Sequence, residues 1–111
     1  MSFNTRVWVY PCDGEPLNVA STRDELVKFL DERALSHDVL KNLMEAGQSA
    51  LPTSIDFYLD SWSIIDLFTK LAQCLPDASF AVKGSGEEAR DVWSREYSNG
   101  IVTFEAGPFH D

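Results

Sequence analysis

The sequence predicts an α+β two-layer sandwich: a mixed four- to five-stranded sheet with helices on one face. Three observations predict it. Apolar residues alternate along SIDFYL and ASFAVK, they recur at helical spacing along three other stretches, and the chain closes on an Asn99-Gly100 hairpin turn. In order, the elements read β-α-α-β-α-β-β-β over one domain, residues 1–111.

The first strand is RVWVY, residues 6–10, β-branched and aromatic, stopped by the turn formers PCDGEP. Both of its faces are apolar. Val7 and Val9 point one way and Trp8 and Tyr10 the other, and alternation alone leaves open which pair is inside.

TRDE, Thr22 to Glu25, spells a capping box in which a hydroxyl and a carboxylate satisfy free amides at a helix start. A helix over about 22–33 follows, with Leu26, Phe29 and Leu30 along one stripe. Ser36 caps a second helix, Asp38 lies in its first turn, Val39, Leu40, Leu43 and Met44 form its apolar stripe, and Gly47 ends it.

SIDFYL sets Ile55, Phe57 and Leu59 on one face and Asp56, Tyr58 and Asp60 on the other, the pattern of a half-buried strand. The third helix opens in DSWS, where Asp60, Ser61 or Ser63 caps it. It carries Ile64, Leu67, Phe68, Leu71 and Leu75, and Pro76 closes it. ASFAVK is the next strand. KGSGEEARDVW reads as a loop with a short helical turn in EEAR.

Asn99 and Gly100 both tolerate the positive φ that a type I′ turn requires, so residues 93–106 form a hairpin. Counting outward from the turn sets Trp93, Arg95, Tyr97, Val102, Phe104 and Ala106 on one face. Ser94, Glu96, Ser98, Ile101, Thr103 and Glu105 fall on the other. Arg95 is the misfit on the apolar face, and its expected place is along Phe104 with its head at the sheet edge. Two crossover connections make the first three strands candidates for parallel neighbours.

LPDASFAVKGSGEE followed by DVWSREYSNGIV resembles the carboxy-terminal part of the YubB-like ferredoxin-like domains of bacteria. The matching positions are Pro76, Asp77, Phe80, Gly84, Glu87, Trp93, Tyr97, Asn99 and Gly100, within residues 75–102, about a quarter of the chain. The resemblance implies a ferredoxin-like variant, an open sheet with helices on one side. It brings no catalytic residues to transfer, and a fold alone does not assign a function.

Eighteen acids against nine bases leave a net charge of −9. That balance argues against direct binding to nucleic acid or to an anionic membrane, both of which need Lys and Arg near phosphate. Cys12 and Cys74 belong to no metal-ligand spacing and read as free thiols. No stretch approaches the length of a membrane span, so a cytoplasmic location is expected. His37 and His110 are isolated, no cofactor motif is present, and no metal site or catalytic residue is nominated.

These features point to a small acidic protein-binding module without catalytic activity, an inhibitor or immunity-type protein or a homodimer that uses the open sheet face. Its expected contact residues are Trp8, Tyr10, Asp56, Tyr58, Glu96 and Glu105. The expected partner is a basic protein or a second copy of the chain. One alternative is a small enzyme whose paired carboxylates, Asp56 with Asp60 or Glu87 and Glu88 with Asp91, lie at a sheet end or near the 84–91 loop. Another is an acidic nucleic-acid mimic.

Overall fold

The computed structural model describes residues 4–48, 51–86 and 91–108. The expected helical turn in EEAR, together with Glu87, Glu88 and His110, lies outside them. The chain forms β1 (Thr5–Pro11), a 3₁₀ turn (Val19–Thr22), α1 (Arg23–Glu32), α2 (Asp38–Gly47) and β2 (Thr53–Phe57). It continues through α3 (Ser61–Cys74), β3 (Phe80–Ser85), β4 (Val92–Ser98) and β5 (Ile101–Ala106). The five strands make one sheet in the order β2-β1-β3-β4-β5.

Every neighbouring pair in that sheet is antiparallel, which corrects the expectation of a mixed sheet. The reason lies in the two-helix connection. Val9, near the end of β1, faces Thr53 at the start of β2, so α1 and α2 together return the chain to the end of the sheet it left. A pair of helices cancels the displacement that a single crossover helix provides. Only α3 makes a true crossover: it carries the chain from β2 past β1 to β3, so β2 and β3 run parallel but are separated by β1.

Val7 and Val9 are fully buried, which settles the orientation of β1. Their cross-strand partners continue the same face: Thr5 faces Phe57, Val9 faces Val82, Pro11 faces Phe80, and Phe80 in turn faces Tyr97. α2 lies over β2 and β1, α3 covers β3, β4 and β5, and α1 packs on α3 and α2. The core between the layers includes Leu26, Leu30, Leu43, Ile64, Leu67, Phe68 and Leu71, each at most 1% exposed. Burying side chains of this size contributes about 1.5–3 kcal/mol apiece.

An aromatic file runs through this core. Phe57 meets Phe68 edge-on at 6.0 Å, Phe68 meets Phe80 at 6.5 Å, and Phe80 meets Tyr97 at 5.0 Å. Through Phe68, α3 is thereby joined to both β2 and β3. Asp60 caps it: the carboxylate accepts the Ser63 N–H at 3.2 Å and the Ser63 hydroxyl at 2.7 Å.

One expected helix end differs, and another forms by a different route. Thr22 makes no capping box, because its hydroxyl donates to the Val19 carbonyl at 2.7 Å inside the 3₁₀ turn. That turn is capped instead by Asn18, which accepts the Ser21 N–H. Gly47 is the last residue of α2, as expected, but it ends the helix without a left-handed conformation. A Cβ there would stand 2.8 Å from Val19 Cγ2 and 2.9 Å from the Leu17 carbonyl oxygen, so its missing side chain lets that segment approach. Ser36 does act near the start of α2, accepting the Asp38 N–H at 3.2 Å.

Candidate functional site

All three helices lie on one side of the sheet, and no described element covers the other. Its composition follows from strand register. The middle row across the sheet reads Ser54, Trp8, Lys83, Ser94, Ala106, and the next row reads Tyr10, Ala81, Glu96, Phe104. A third row, at the opposite end of the strands, joins Asp56, Arg6, Ser85 and Val92.

Trp8 is half-buried at the centre of this surface, flanked by the small or flexible side chains of Ser54 and Lys83. It forms a wall of an open hollow of about 410 Å³ whose lining also includes Lys83, Ser85, Val92, Ser94 and Ala106. Gly84 and Trp93 contribute to that lining as well, although the Gly84–Trp93 pair belongs to the row of β3 and β4 that faces the core. The hollow exists because serine and alanine occupy the outward positions of the strands between Trp8 and the sheet's β5 edge. Val92, which lines it, is 43% exposed, and Phe104, one row away on the same face, is 49% exposed.

The charges on this face balance. Arg6 grips Asp56 through two hydrogen bonds, 3.0 Å from Nε and 3.2 Å from Nη2, a pairing that holds the guanidinium pKa above its ordinary value. Lys83 Nζ lies 5.7 Å above the Tyr10 ring centroid, a cation–π contact, and Glu96 faces outward one strand away. Two bases therefore match two acids among the outward strand residues. The net charge of −9 is carried elsewhere, conspicuously by exposed acids of α1 and α2 and by Asp13, Glu15 and Asp77 in loops.

The six expected contact residues separate accordingly. Trp8, Tyr10, Asp56 and Glu96 share the open face, with Asp56 already engaged by Arg6. Tyr58 lies in the bend beyond β2, 74% exposed but outside the sheet. Glu105 is not on the open face, because a bulge interrupts the hairpin. Tyr97 faces Val102 but Glu96 faces Phe104, leaving Thr103 as the extra residue. Beyond it every side chain changes sides relative to a simple count, so Glu105 joins Arg95 on the helix side and Phe104 turns outward.

The bulge also explains Arg95, which is only 4% exposed. Its guanidinium donates to the carbonyls of Ser94 at 2.7 Å, Ala106 at 3.1 Å and Gly107 at 2.8 Å, with Glu105 3.9 Å from Nε. It ties the end of β5 to β4 with three of its five N–H donors. A signal for this was present in the sequence: Arg95 opposite Glu105 is a better cross-strand pair than Arg95 opposite Phe104. Phe104, Val92, Lys83 and the small residues of the hollow carried no comparable signal.

Of the acids considered for catalysis, Asp56, Asp60 and Asp91 are described, and each has a structural place. Asp56 is paired with Arg6, Asp60 caps α3, and Asp91 returns over Gly86, whose N–H donates to the Asp91 carbonyl at 2.7 Å. Among the described residues no group of three or more His, Cys, Asp or Glu side chains converges on a metal position. No described helix is long and apolar enough to cross a membrane. Comparison with protein-family models, with curated proteins and with solved structures finds no match to this chain.

Proposed function

We propose that the chain is a non-catalytic protein-binding module that receives its partner on the open face of the sheet. The observation that carries this reading is Trp8, half-buried beside an open hollow at the centre of a face that no described element covers. Tryptophan and tyrosine anchors set among small residues are the usual energetic centre of a protein interface, and charged residues are depleted from such centres. The neutral balance of Arg6, Asp56, Lys83 and Glu96 fits an apolar or self-compensated surface better than a strongly basic one. This narrows the class of partner from the basic proteins that the overall charge suggested.

The hollow is open along the sheet, so it suits a side chain projecting from a broad surface rather than an enclosed small ligand. Two bases on the face, one of them already paired, supply too little positive charge for a nucleic-acid backbone. The β2–α3–β3 unit, split by β1, is the feature this chain would share with ferredoxin-like domains, and on that likeness we extend the proposal to a ferredoxin-like variant. Affinity capture from the source cell with wild type and with a Trp8→Ala, Phe104→Ala double variant tests the function. Loss of a specific protein, another copy of the chain included, supports it, and identical captures refute it.

A further inference from the structure

Resting on that reading, we infer that the partner on the open face is a second copy of this chain, packed sheet to sheet about a two-fold axis that runs along the strands between β3 and β4. The strand order and register carry the inference. Such an axis sets β1 of one copy over β5 of the other and β3 over β4, without changing the height of a residue along its strand.

The rows then complement themselves. Trp8 comes over Ala106 and the hollow beside it, Lys83 over Ser94, and Tyr10 over Phe104. Large side chains meet small ones in the middle row, and the two aromatic ends of the next row meet each other. The about 410 Å³ hollow is wide enough for an indole. Sheets packed face to face stand about 10 Å apart, the depth that such interdigitation fills.

Charge points to the same partner. Lys83 and Glu96 have no ion-pair partner among the described residues, and they lie on the two strands that the axis exchanges, one row apart. Each copy therefore offers one base and one acid to the acid and base of the other. Approach through the helix layers would instead bring the exposed acids of α1 and α2 together, so among the faces of a chain of net charge −9 the neutral one opposes self-association least. The axis opposes four strands, leaving β2 beyond the overlap, and four strands about 4.8 Å apart and about 20 Å long give a flat footprint of roughly 400 Å² before side-chain relief is added. A standard interface takes about 800 Å² from each partner, so the dimer sits at the small end and exchanges with monomer.

Sedimentation over micromolar to submillimolar loading tests this. Wild type should rise with concentration toward twice its 12.5 kDa mass. Trp8→Glu and Ala106→Arg should each stay monomeric with unchanged circular dichroism, while Tyr58→Ala, off the sheet, should match wild type. Lys83→Glu and Glu96→Lys should each weaken association severalfold and restore it when combined. A wild-type dimer insensitive to Trp8→Glu and Ala106→Arg overturns the inference. A wild type that stays monomeric, yet captures a different protein through Trp8, overturns the second copy and leaves the binding face standing. A monomer whose captures do not depend on Trp8 overturns both.

Discussion

Trp93 lies flat across Gly84, its cross-strand neighbour on β3, so that a Cβ at Gly84 would collide with the indole Cε2 and Cζ2. The glycine is required by this approach and not by its backbone, which is extended. Trp93 is 2% exposed and its Nε1 has no hydrogen-bond partner among the described residues, so the packing carries the whole interaction. Gly84→Ala should cost about 1–3 kcal/mol, the usual penalty of overpacking. Adding Trp93→Phe, whose smaller ring makes room, should cost less than the sum of the single changes. Urea denaturation of the four proteins gives the coupling directly.

Arg95 anchors the last strand through the carbonyls of Ser94, Ala106 and Gly107. Arg95→Met keeps much of the buried stem but leaves those carbonyls without their donor. Stability should fall by about 2–4 kcal/mol, since hydrogen bonds to a charged donor are worth more than neutral ones. Hydrogen exchange should show β4 and β5 opening first, while the β1–β3 ladder keeps its protection.

Tyr97 is buried, and burial pushes its phenol above its ordinary pKa, against the lowering effects of its 3.0 Å hydrogen bond with Thr69 and of Arg95. The unfolded chain then ionises first. The contribution is fully present below the unfolded value of about 10 and is lost as pH rises from there toward the folded value. Tyr97→Phe should flatten the fall in stability above that pH. Guanidinium melts of both proteins on either side of pH 10 test it.

Cys74 is partly buried, and desolvation, with Glu25 adding to it and Lys70 opposing, raises its thiol pKa. Cys12 is exposed in the turn after β1. Iodoacetamide at mildly alkaline pH should modify Cys12 several times faster than Cys74, because the thiolate is the reacting form. Peptide mass spectrometry at timed intervals resolves the two, and equal rates would refute the prediction.

Asn99 holds φ of 55° beside Gly100 at 78°, the pair of left-handed conformations that the hairpin needs. Asn99→Ala should destabilise by about 1 kcal/mol and Asn99→Gly should be close to neutral. Thermal melts of the two variants distinguish this from a side-chain effect, which would make them equal.

The local alphabet was legible in the chain. Asn99-Gly100, the alternation of Ile55 with Phe57, the stripe of α3 and the Asp60 cap all depend on residues within a few positions of one another. Short-range sterics and hydrogen bonding therefore dictate them. The uneven charge was legible from composition alone. The orientation of β1 was not, since Val7, Val9, Trp8 and Tyr10 are all acceptable inside. It took the helix layer, with α2 packed over β1, to bury the valines and leave the aromatics outward.

Strand direction and the membership of the open face were likewise decided only in three dimensions. Whether a connection reverses or preserves direction depends on where α1 and α2 return the chain, which is a property of packing and not of either helix alone. One extra residue at Thr103 moved Phe104 outward and Glu105 inward, because a strand exchanges its faces with every single-residue slip. The sequence by itself thus determined the elements and the chemistry they carry, while long-range contacts decided which of those side chains share a surface.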